Sequence, residues 1–527
     1  MRHLASAGRS GLATATMLAL LLATPGTSAF AEQQVPIWLP ATTPLETKNV
    51  MGSISYLKAR YGVDERDALR RLELQRISPT LDNELAKRYP DSFAGTYLDQ
   101  QNGGLLIVRS KDVGTTESAL RKFPDARHVK VQTARWSLKE LRAAEDRVVK
   151  ELNLPFETTK RKAEVAIDVE ANSVMVWQRE GSESVANRSI ASANKSKAEQ
   201  TLLGPAVLDS AFVAAESGRV QLRQMVIGDD KEGSASLLDT PVSGGCDPRY
   251  CSPPMRGGMR LVVRRSQQAP TWPTTEYLNG WYGQCTNGFN VTDDWGWNYI
   301  MTAGHCMVGQ YKVGINHTYY TNWTPISDEV HNYENGCSGS SCGSTYPVDY
   351  SIQPYSQTCG GNCYDYWLGP YAKSLVMSWC WWSQSTWTGC QDGSFYIHGQ
   401  YSYGQIGTHW IVCGTGSGDA DSSSGYQRNI GYWPGTRCGE ITGKDGGLKT
   451  NICTRPGDSG GPLFSELDGR AYGILSHGYR GSGNCPNSPP GTEWSNYSPV
   501  SKIFEHIAIQ LGLLGEDAHN FRLQTSP

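Results

Sequence analysis

Apolar positions in the first half of the chain follow two different spacings. The stretch 64–72 (DERDALRRL) opens with acidic residues and then places apolar side chains at helical spacing, which predicts a helix. Ser137, followed three residues later by Glu140, predicts the capped start of a second helix. The apolar runs 105–108 (LLIV) and 173–177 (SVMVW) are typical of strands. We therefore expect an α+β domain in this part of the chain.

The second half of the chain has a different pattern, with no long helical stretch before residues 502–514. Short apolar runs such as 259–263 (MRLVV) and 473–475 (GIL) alternate with glycine, asparagine, aspartate and serine. Many short strands separated by frequent turn residues predict a β-sandwich or a β-barrel. We therefore expect an all-β domain here.

The first 31 residues have the pattern of a signal peptide. A basic start with Arg2 and Arg9 precedes the short apolar run 17–23 (MLALLLA), and 29–31 (AFA) supplies small residues for cleavage. A membrane anchor is the alternative, but the run is shorter than the ~20 residues needed to cross a bilayer. We therefore expect a secreted, extracellular protein with no membrane contact after residues 1–31 are removed.

All 14 cysteines lie between Cys246 and Cys485, in a chain whose net charge is only -3. An even number of cysteines in one part of an exported chain predicts a disulfide framework. Metal-binding thiols are the alternative, but the close pairs 337/342 and 359/363 lack the spacing and histidine partner of a zinc site. We expect no metal and no cofactor. The small net charge gives no reason to expect a nucleic-acid partner.

The segment 457–462 (GDSGGP) is the strongest local signal for chemistry. A nucleophilic serine needs a sharp turn that exposes its hydroxyl group, and glycines that let backbone N–H groups face the carbonyl under attack. Ser459 is therefore the candidate nucleophile, and the N–H groups of Gly457 and Ser459 are the candidate oxyanion hole. Taken alone, a glycine-rich turn with an incidental serine has the same pattern.

Two further residues complete a catalytic set. His305, in 302–306 (TAGHC), follows a strand-like run and is the candidate general base that a serine of ordinary pKa requires. The third member must be a buried carboxylate that orients the imidazole. Asp349 lies in the strand-like stretch PVDYSI, whereas the alternatives Asp328 and Asp365 lie in polar surroundings typical of surface turns. We therefore expect Asp349 to be the partner of His305.

The chain order His305, Asp349, Ser459 separates the possible classes. The pattern Gly-x-Ser-x-Gly also fits a secreted serine esterase or lipase, but that fold has the order Ser, Asp, His and requires crossover helices. Histidines such as His477 do follow Ser459, yet the region lacks those helices. A non-catalytic protease-like binding protein is the other alternative, because the abundant tryptophan and tyrosine would suit ligand contacts. We favour a serine endopeptidase that hydrolyses protein or peptide substrates through an acyl-enzyme.

The sequences TAGHC, VDYSI and GDSGGP resemble those of the chymotrypsin/trypsin family, and most closely its bacterial branch, the α-lytic protease and streptogrisin type. The resemblance covers roughly residues 256–513. It implies two antiparallel six-stranded β-barrels, with the catalytic residues in the cleft between them. It also implies the disulfides Cys285–Cys306, Cys413–Cys438 and Cys453–Cys485. The remaining cysteines form the close pairs 246/251, 337/342, 359/363 and 380/390, which depart from the family pattern, and we expect each of these pairs to form a local disulfide.

The first half also resembles the pro-regions of this branch, in 93–99 (FAGTYLD) and 165–169 (VAIDV). The implied division is a signal peptide (1–31), an α+β pro-region that assists folding and occludes the site (32–245), and the trypsin-like serine protease domain (246–527). A permanently attached binding domain is the alternative. Cleavage is expected between Ser236 and Met255, where the composition changes. The mature enzyme is expected to be a monomer whose one protein partner, besides substrates, is its own pro-region.

Substrate-binding residues follow from the same resemblance. Six residues before Ser459, trypsin-like members have an aspartate that selects lysine or arginine, whereas this chain has Cys453. Allowing for a two-residue insertion, Asn451 is the expected base of the pocket. The opposite wall is expected to be Ser476, His477 and Gly478, with Tyr497 at the back. The pocket is thus expected to be uncharged or weakly polar. The alternative is that His477 attracts an acidic side chain, as a histidine does in glutamate-specific relatives, so the preferred substrate residue stays open.

Overall fold

The computed structural model describes part of the chain, in residues 44–121, 123, 125–152, 163–179, 208, 210–225, 233–234, 248, 255–264, 282–307, 312–316, 323–327, 342–343, 347–355, 374–378, 393–418, 435–479, 494–514 and 521–524. The expected signal peptide, most of the expected cleavage segment, Asp328 and Asp365 lie outside these residues. So do the cysteines at 246, 251, 337, 359, 363, 380, 390 and 485.

The N-terminal half contains helices and two small sheets. Its helices are α1 (Met51–Tyr61), α2 (Glu65–Arg88), α3 (Val113–Leu120), α4 (Leu138–Glu151) and α5 (Ser210–Ala215). Its strands are β1 (Phe93–Asp99), β2 (Leu105–Ser110), β3 (Val129–Thr133), β4 (Ala163–Asp168), β5 (Ser173–Arg179) and β6 (Val220–Met225). β1, β2 and β3 form one three-stranded sheet, and β4, β5 and β6 form another.

Two helices begin where the sequence predicts. The Asp64 carboxylate accepts a hydrogen bond from the Asp67 amide at 2.7 Å and so caps α2. Ser137 and Glu140 form a reciprocal capping box at α4, with the side chain of each accepting from the backbone amide of the other. These bonds satisfy amide groups that a helix start leaves without an intrahelical partner. Both predicted helix starts are therefore confirmed.

The second half is built from short strands and one long helix. The strands are β7 (Gly233–Ser234), β8 (Arg260–Arg264), β9 (Tyr282–Thr286), β10 (Phe289–Thr292), β11 (Asn298–Thr302), β12 (Lys312–Asn316), β13 (Trp323–Ser327), β14 (Cys342–Gly343), β15 (Tyr350–Pro354), β16 (Leu375–Ser378), β17 (Gly393–Tyr396), β18 (Gly399–Gln400), β19 (Ile411–Gly416), β20 (Gly435–Lys444), β21 (Leu448–Thr450), β22 (Pro462–Phe464), β23 (Arg470–Tyr479), β24 (Trp494–Pro499) and β25 (Arg522–Leu523). The helix is α6 (Val500–Leu514). Across the described part of the chain, no helix is both long and apolar enough to cross a membrane.

Six of these strands close into a barrel. β23, β22, β19, β20, β21 and β24 pair in this order, and β24 pairs back onto β23. Every pairing around the ring is antiparallel. The structure also has two five-stranded sheets, with the strand orders β14-β15-β11-β10-β25 and β13-β12-β8-β9-β7. All of their strands except β25 come before the barrel strands in the sequence. The expected all-β architecture is present, with one closed barrel among the described strands.

The N-terminal half packs against the closed barrel through shared apolar clusters. Leu74, Leu81 and Leu85 of α2 lie in one buried cluster with residues of the barrel, namely Val412, Ile441, Ile452, Leu463 and Tyr497. A second cluster combines Ile54 and Leu57 of α1 with Ile411 of β19. Burial of apolar side chains in common clusters stabilises contact between the halves, at roughly 25 cal/mol per Å² removed from water.

Candidate active site

The ends of two paired strands bring His305 and Asp349 together. β11 ends at Thr302 and leads directly into a short 3₁₀ helix, Gly304–Cys306, which carries His305. Asp349 immediately precedes β15, and in the antiparallel pairing of β11 with β15 Thr302 lies opposite Ser351. Because the last residues of one strand face the first residues of its antiparallel neighbour, both side chains lie at the same edge of the sheet.

Asp349 is the centre of a buried hydrogen-bond network. Its Oδ2 lies 2.7 Å from His305 Nδ1 and accepts from Ser476 Oγ at 2.7 Å. Its Oδ1 accepts from the backbone amide of His305 at 3.0 Å. Its own amide donates to Ser498 Oγ at 3.0 Å. Asp349 is only 1% exposed, so its carboxylate depends on these partners rather than on water.

The partners of Asp349 keep it ionised. Burial alone would raise the pKa of Asp349, but the charge and hydrogen bond of His305, the Ser476 hydroxyl and the His305 amide outweigh burial and hold the pKa below its ordinary value. An ionised carboxylate against Nδ1 favours the proton on that nitrogen and leaves Nε2 available to accept another. The arrangement can therefore present a general base at Nε2.

The Ser459 turn has the backbone shape that its glycines permit. Gly457 and Gly460 have φ angles of +92° and +84°, a region that favours glycine. A Cβ on Gly460 would lie 2.0 Å from Thr302 Oγ1, so the turn packs directly against the end of β11. Within the described residues, neither the amide of Gly457 nor that of Ser459 donates a hydrogen bond. Both N–H groups are thus free to bind a developing oxyanion.

Asp458 holds this turn from inside. Its buried carboxylate accepts from the amides of Gly418 at 2.7 Å and Arg455 at 3.0 Å. The Asp458 carbonyl oxygen accepts from the Gly461 amide at 2.8 Å. The turn is therefore fixed by bonds from within the second half of the chain.

Contacts around one disulfide connect the histidine to the serine. Cys306 forms a disulfide with Cys285, and its sulfur lies 3.9 Å from His305 Nε2 and 3.9 Å from the Ser459 carbonyl oxygen. That carbonyl oxygen also accepts from the Thr286 amide at 2.8 Å. The structure thus gathers His305, Asp349 and Ser459 in one neighbourhood.

Three of the expected pocket residues lie beside this network. Ser476, His477 and Gly478 follow one another in β23, and Ser476 bonds to Asp349. His477 Nδ1 lies 3.3 Å from Ser476 Oγ, and its ring packs edge-on against Trp494. Tyr497 of β24, which pairs with Leu475 of β23, is 2% exposed and lies in the apolar cluster of the barrel.

Asn451 has different neighbours. Its Oδ1 accepts from the Glu440 amide at 2.8 Å, and its Nδ2 donates to the hydroxyl of Tyr56 in α1 at 2.7 Å. The structure therefore groups Ser476, His477 and Gly478 with Asp349, and directs the Asn451 side chain to the N-terminal half.

Sequence reasoning did not anticipate two of the contacts made by serine hydroxyls. Ser476 was expected as a pocket wall, not as a donor to the Asp349 carboxylate, and Ser498 was not expected at all. No local pattern singles out Ser498, because its hydroxyl reaches Asp349 across 149 residues of chain. Only the pairing of β24 with β23 places it there.

The cysteines offer no metal site among the described residues. A second disulfide joins Cys413 to Cys438, and Cys453 is also disulfide-bonded. In the part of the chain that the structure describes, the one group of three potential metal ligands is Cys413, Cys438 and Glu466. Sulfur atoms joined in a disulfide are not thiolates and do not bind metal as thiolates do.

The sequence is similar to that of Serine protease 2 from Streptomyces fradiae, with 30% identity over 215 residues, which are 38% of this chain and 90% of that protein. Among solved structures, Thermobifida fusca protease A matches 51% of this chain and 98% of its own, at 18% identity and a TM-score of 0.27. Nocardiopsis protease also matches 51% of this chain and 98% of its own, at 19% identity and a TM-score of 0.28. No protein-family model matches the chain.

Proposed function

The chain belongs to the bacterial branch of the chymotrypsin-type serine proteases and is a serine endopeptidase, and from this premise we propose that Ser459, His305 and Asp349 are its catalytic triad. The observation that carries the proposal is the Asp349 carboxylate, which is buried and bonded to both His305 Nδ1 and the His305 amide. A carboxylate that binds a histidine through two of its nitrogens fixes both the ring orientation and the tautomer.

The proposed reaction proceeds through an acyl-enzyme. His305 Nε2 takes the hydroxyl proton of Ser459 while Oγ attacks the carbonyl carbon of the scissile peptide bond. The negative oxygen of the tetrahedral intermediate accepts hydrogen bonds from the amides of Gly457 and Ser459. His305 then gives its proton to the leaving amine as the C–N bond breaks. Water, deprotonated by the same nitrogen, hydrolyses the resulting ester and regenerates Ser459.

Substrate side chains are proposed to enter beside Ser476, His477 and Gly478, with Tyr497 behind them. While α1 is in place, the side-chain nitrogen of Asn451 donates to the Tyr56 hydroxyl. Asn451 would therefore become part of this pocket only after α1 has left. None of the five proposed pocket residues carries a carboxylate, so a pocket built from them has no charge that selects lysine or arginine.

We further propose that the enzyme is exported and made as a precursor. Residues 1–31 would be the signal peptide, and residues 32–245 a pro-region that leaves after cleavage between Ser236 and Met255. The apolar clusters shared by α1, α2 and the barrel support a role in folding. A fold of two barrels, the second formed by the strands of the two five-stranded sheets other than β7, which lies in the proposed pro-region, pairs strands far apart in sequence, and such non-local pairings fold slowly. A preformed partner surface lowers that barrier. The mature enzyme would be a monomer.

A serine esterase with the order Ser, Asp, His would need a catalytic histidine after Ser459, and none of the described histidines there is placed for that role. His506 Nδ1 lies 2.9 Å from the Tyr350 hydroxyl inside the core, and His477 Nε2 lies 3.3 Å from Asn496 Nδ2. Both rings are buried against other partners. The histidine bonded to a buried carboxylate next to Ser459 precedes it in the chain.

Replacing the nucleophile tests the proposed function. Ser459→Ala should abolish peptide hydrolysis, because it removes the hydroxyl group that is proposed to attack the scissile carbonyl. Ser402→Ala, which changes an exposed serine of the same half, should leave the hydrolysis rate unchanged. Equal rates for the two variants would show that Ser459 is not the nucleophile.

A further inference from the structure

Helix α1 is capped by a carboxylate from the far end of the chain. Its N-cap residue Val50 makes no side-chain cap hydrogen bond. Instead the Glu466 carboxylate, between β22 and β23, accepts from the amide and the hydroxyl of Ser53, each at 2.8 Å, and from the Gly52 amide. Amides in the first turn of a helix need an external acceptor, and a carboxyl oxygen can accept from them in either protonation state. Glu466 thus holds the start of α1 on the barrel.

The end of α1 is held by a second carboxylate of the barrel. Glu440 of β20 accepts from the hydroxyl groups of Tyr61 and Tyr56, and it also lies against His409 Nδ1. The other ring nitrogen of His409 lies 3.3 Å from the carboxylate of Glu170, which follows β4 in the N-terminal half. His409 therefore bridges an acid of the barrel and an acid of the N-terminal half.

We propose that the binding of the N-terminal half to the barrel is proton-linked: the buried carboxyl group of Glu466, whose described hydrogen bonds come only from uncharged donors of α1, makes the contact tight in acid, and the contact loosens as the pH rises through neutrality. The proposal rests on the proposed function in one respect, because it concerns the pro-region after its cleavage from the protease domain. The charged groups that face Glu466 and the neighbouring titratable groups bear on the direction of the effect.

No cation bonds to Glu466 among its described contacts. Its bonds come from the neutral donors Ser53 and Gly52, while the charged side chains that line the adjoining cavity of about 620 Å³ are Glu46, Lys48, Arg76, His398 and Asp468. Burial raises the pKa of Glu466 to about 7, against the opposing effect of the Ser53 and Gly52 hydrogen bonds. Once α1 leaves, the carboxylate meets water and its pKa returns towards 4.5. The contribution of Glu466 is therefore complete below pH 4.5 and is lost as the pH rises through about 7.

His409 makes two contributions that oppose each other. Burial disfavours its cation, but the hydrogen bond and charge of Glu440 and of Glu170 outweigh burial and raise the pKa of His409 above its ordinary value. When the N-terminal half leaves, Glu440 stays with the barrel, whereas Glu170 leaves and any burial by that half is relieved. Loss of Glu170 lowers the pKa of His409 and loss of burial raises it, so the direction of the pH effect is assigned to Glu466.

A third group of charges at the junction makes opposing contributions. Burial raises the pKa of Asp82 in α2 to about 7 and lowers that of Lys444 in β20 to about 7. A raised carboxyl pKa favours the contact in acid, and a lowered amine pKa favours it in base. Arg142 acts on both groups, and Glu145 and Lys502 act on Lys444. These two effects oppose each other, and a variant at Glu466 separates the share of Glu466 in the pH dependence from theirs.

The test uses the full chain, folded before it is cut. A Ser459→Ala chain, which cannot cleave itself, carries the recognition site of a specific external protease in place of residues 237–245. After cutting, the dissociation constant of the N-terminal fragment from the immobilised barrel fragment is measured between pH 5 and pH 8. It should increase on the order of a hundredfold across this range, since each unit of pKa difference is a factor of ten.

Three variants assign the effect to its groups. Glu466→Gln keeps an acceptor for Ser53 and does not titrate, so it should remove most of the increase. His409→Asn should keep most of the increase, and asparagine tolerates the φ of +65° found at this position. Asp91→Asn removes an exposed carboxylate that is paired with Lys139 away from the barrel, and it should behave as the parent chain.

A dissociation constant that does not change with pH, or that falls towards pH 8, overturns the proposal, as does the full increase in the Glu466→Gln chain. If the Glu466→Gln chain does not fold, the titration of the parent chain still decides the direction, and a His409→Asn chain that loses most of the increase contradicts the assignment to Glu466. The proposal that the enzyme is made as a precursor has a separate test, which is to determine the N-terminal residue of the secreted enzyme. If the precursor proposal proved wrong, the measured pH dependence of the engineered chain would still stand.

Discussion

Asp349 and Glu466 are two buried carboxyl groups of the same half of the molecule, and their pKa values are shifted in opposite directions. Asp349 is 1% exposed, and its pKa lies below the ordinary value because His305 supplies a charge and two hydrogen bonds. Glu466 is 8% exposed, and its pKa rises to about 7 because its described hydrogen bonds come from the uncharged donors Ser53 and Gly52. Burial therefore does not decide ionisation; the charge of the partner does.

This difference matches the two tasks proposed for the residues. A carboxylate that orients a general base must stay ionised throughout the working pH range, and Asp349 has a cationic partner whenever His305 takes a proton. A carboxyl group that holds a removable segment is more useful when it titrates near neutrality, because the affinity for that segment then changes with pH. A cationic partner placed beside Glu466 should therefore lower the pKa of Glu466, and uncharged partners in place of His305 should raise the pKa of Asp349.

Removal of the charge at Asp349 should have the largest effect. Asp349→Asn keeps the shape but places an amide against His305 Nδ1, which favours the wrong imidazole tautomer. We expect kcat to fall by about 10⁴-fold at pH 7, measured on a peptide substrate. Asp294→Asn, at a surface ion pair with Arg522, should leave kcat unchanged. A loss of less than tenfold in Asp349→Asn would mean that this carboxylate does not orient the base.

A smaller effect, on the free energy of unfolding, is expected where α1 contacts the barrel. Tyr56→Phe removes a hydroxyl group that accepts from Asn451 and donates to Glu440 at 3.4 Å. The free energy of unfolding of the uncleaved Ser459→Ala chain should fall by about 1 kcal/mol, measured by denaturant titration. The kinetics of the mature enzyme, which has lost residue 56, should not change.

Tyr89→Phe is the matched control, because the Tyr89 hydroxyl makes no hydrogen bond within the described residues. It should leave the free energy of unfolding unchanged. If Tyr56→Phe altered peptide hydrolysis by the mature enzyme, the N-terminal half would still be attached, and the precursor reading would be wrong.

Local sequence signals predicted the elements that local interactions build. The capping box of Ser137 and Glu140 needs four residues, and it appears where the sequence places it. The strand-like runs 105–108 and 173–177 lie in β2 and β5 for the same reason. His305 and Asp349 could be singled out because each has a recognisable local sequence.

Contacts between distant segments could not be predicted in this way. Ser53 and Glu466 are 413 residues apart, and nothing in either neighbourhood indicates the other. Asn451 shows the same limit at closer range, since successive side chains of an extended segment point to opposite faces. Counting back from Ser459 identifies the position, but only the strand register shows that its side chain reaches Tyr56. Register in a closed barrel depends on all six strands at once.

The most direct test of the central claim is to locate the covalent adduct of a fluorophosphonate on the active, secreted enzyme. The reagent phosphonylates a serine that a neighbouring histidine activates, and mass spectrometry of the digested protein identifies the modified residue. We expect a single adduct on Ser459, formed at the same rate at which peptidase activity is lost. An adduct on any other residue, or complete inactivation with Ser459 unmodified, would contradict the assignment of Ser459, His305 and Asp349.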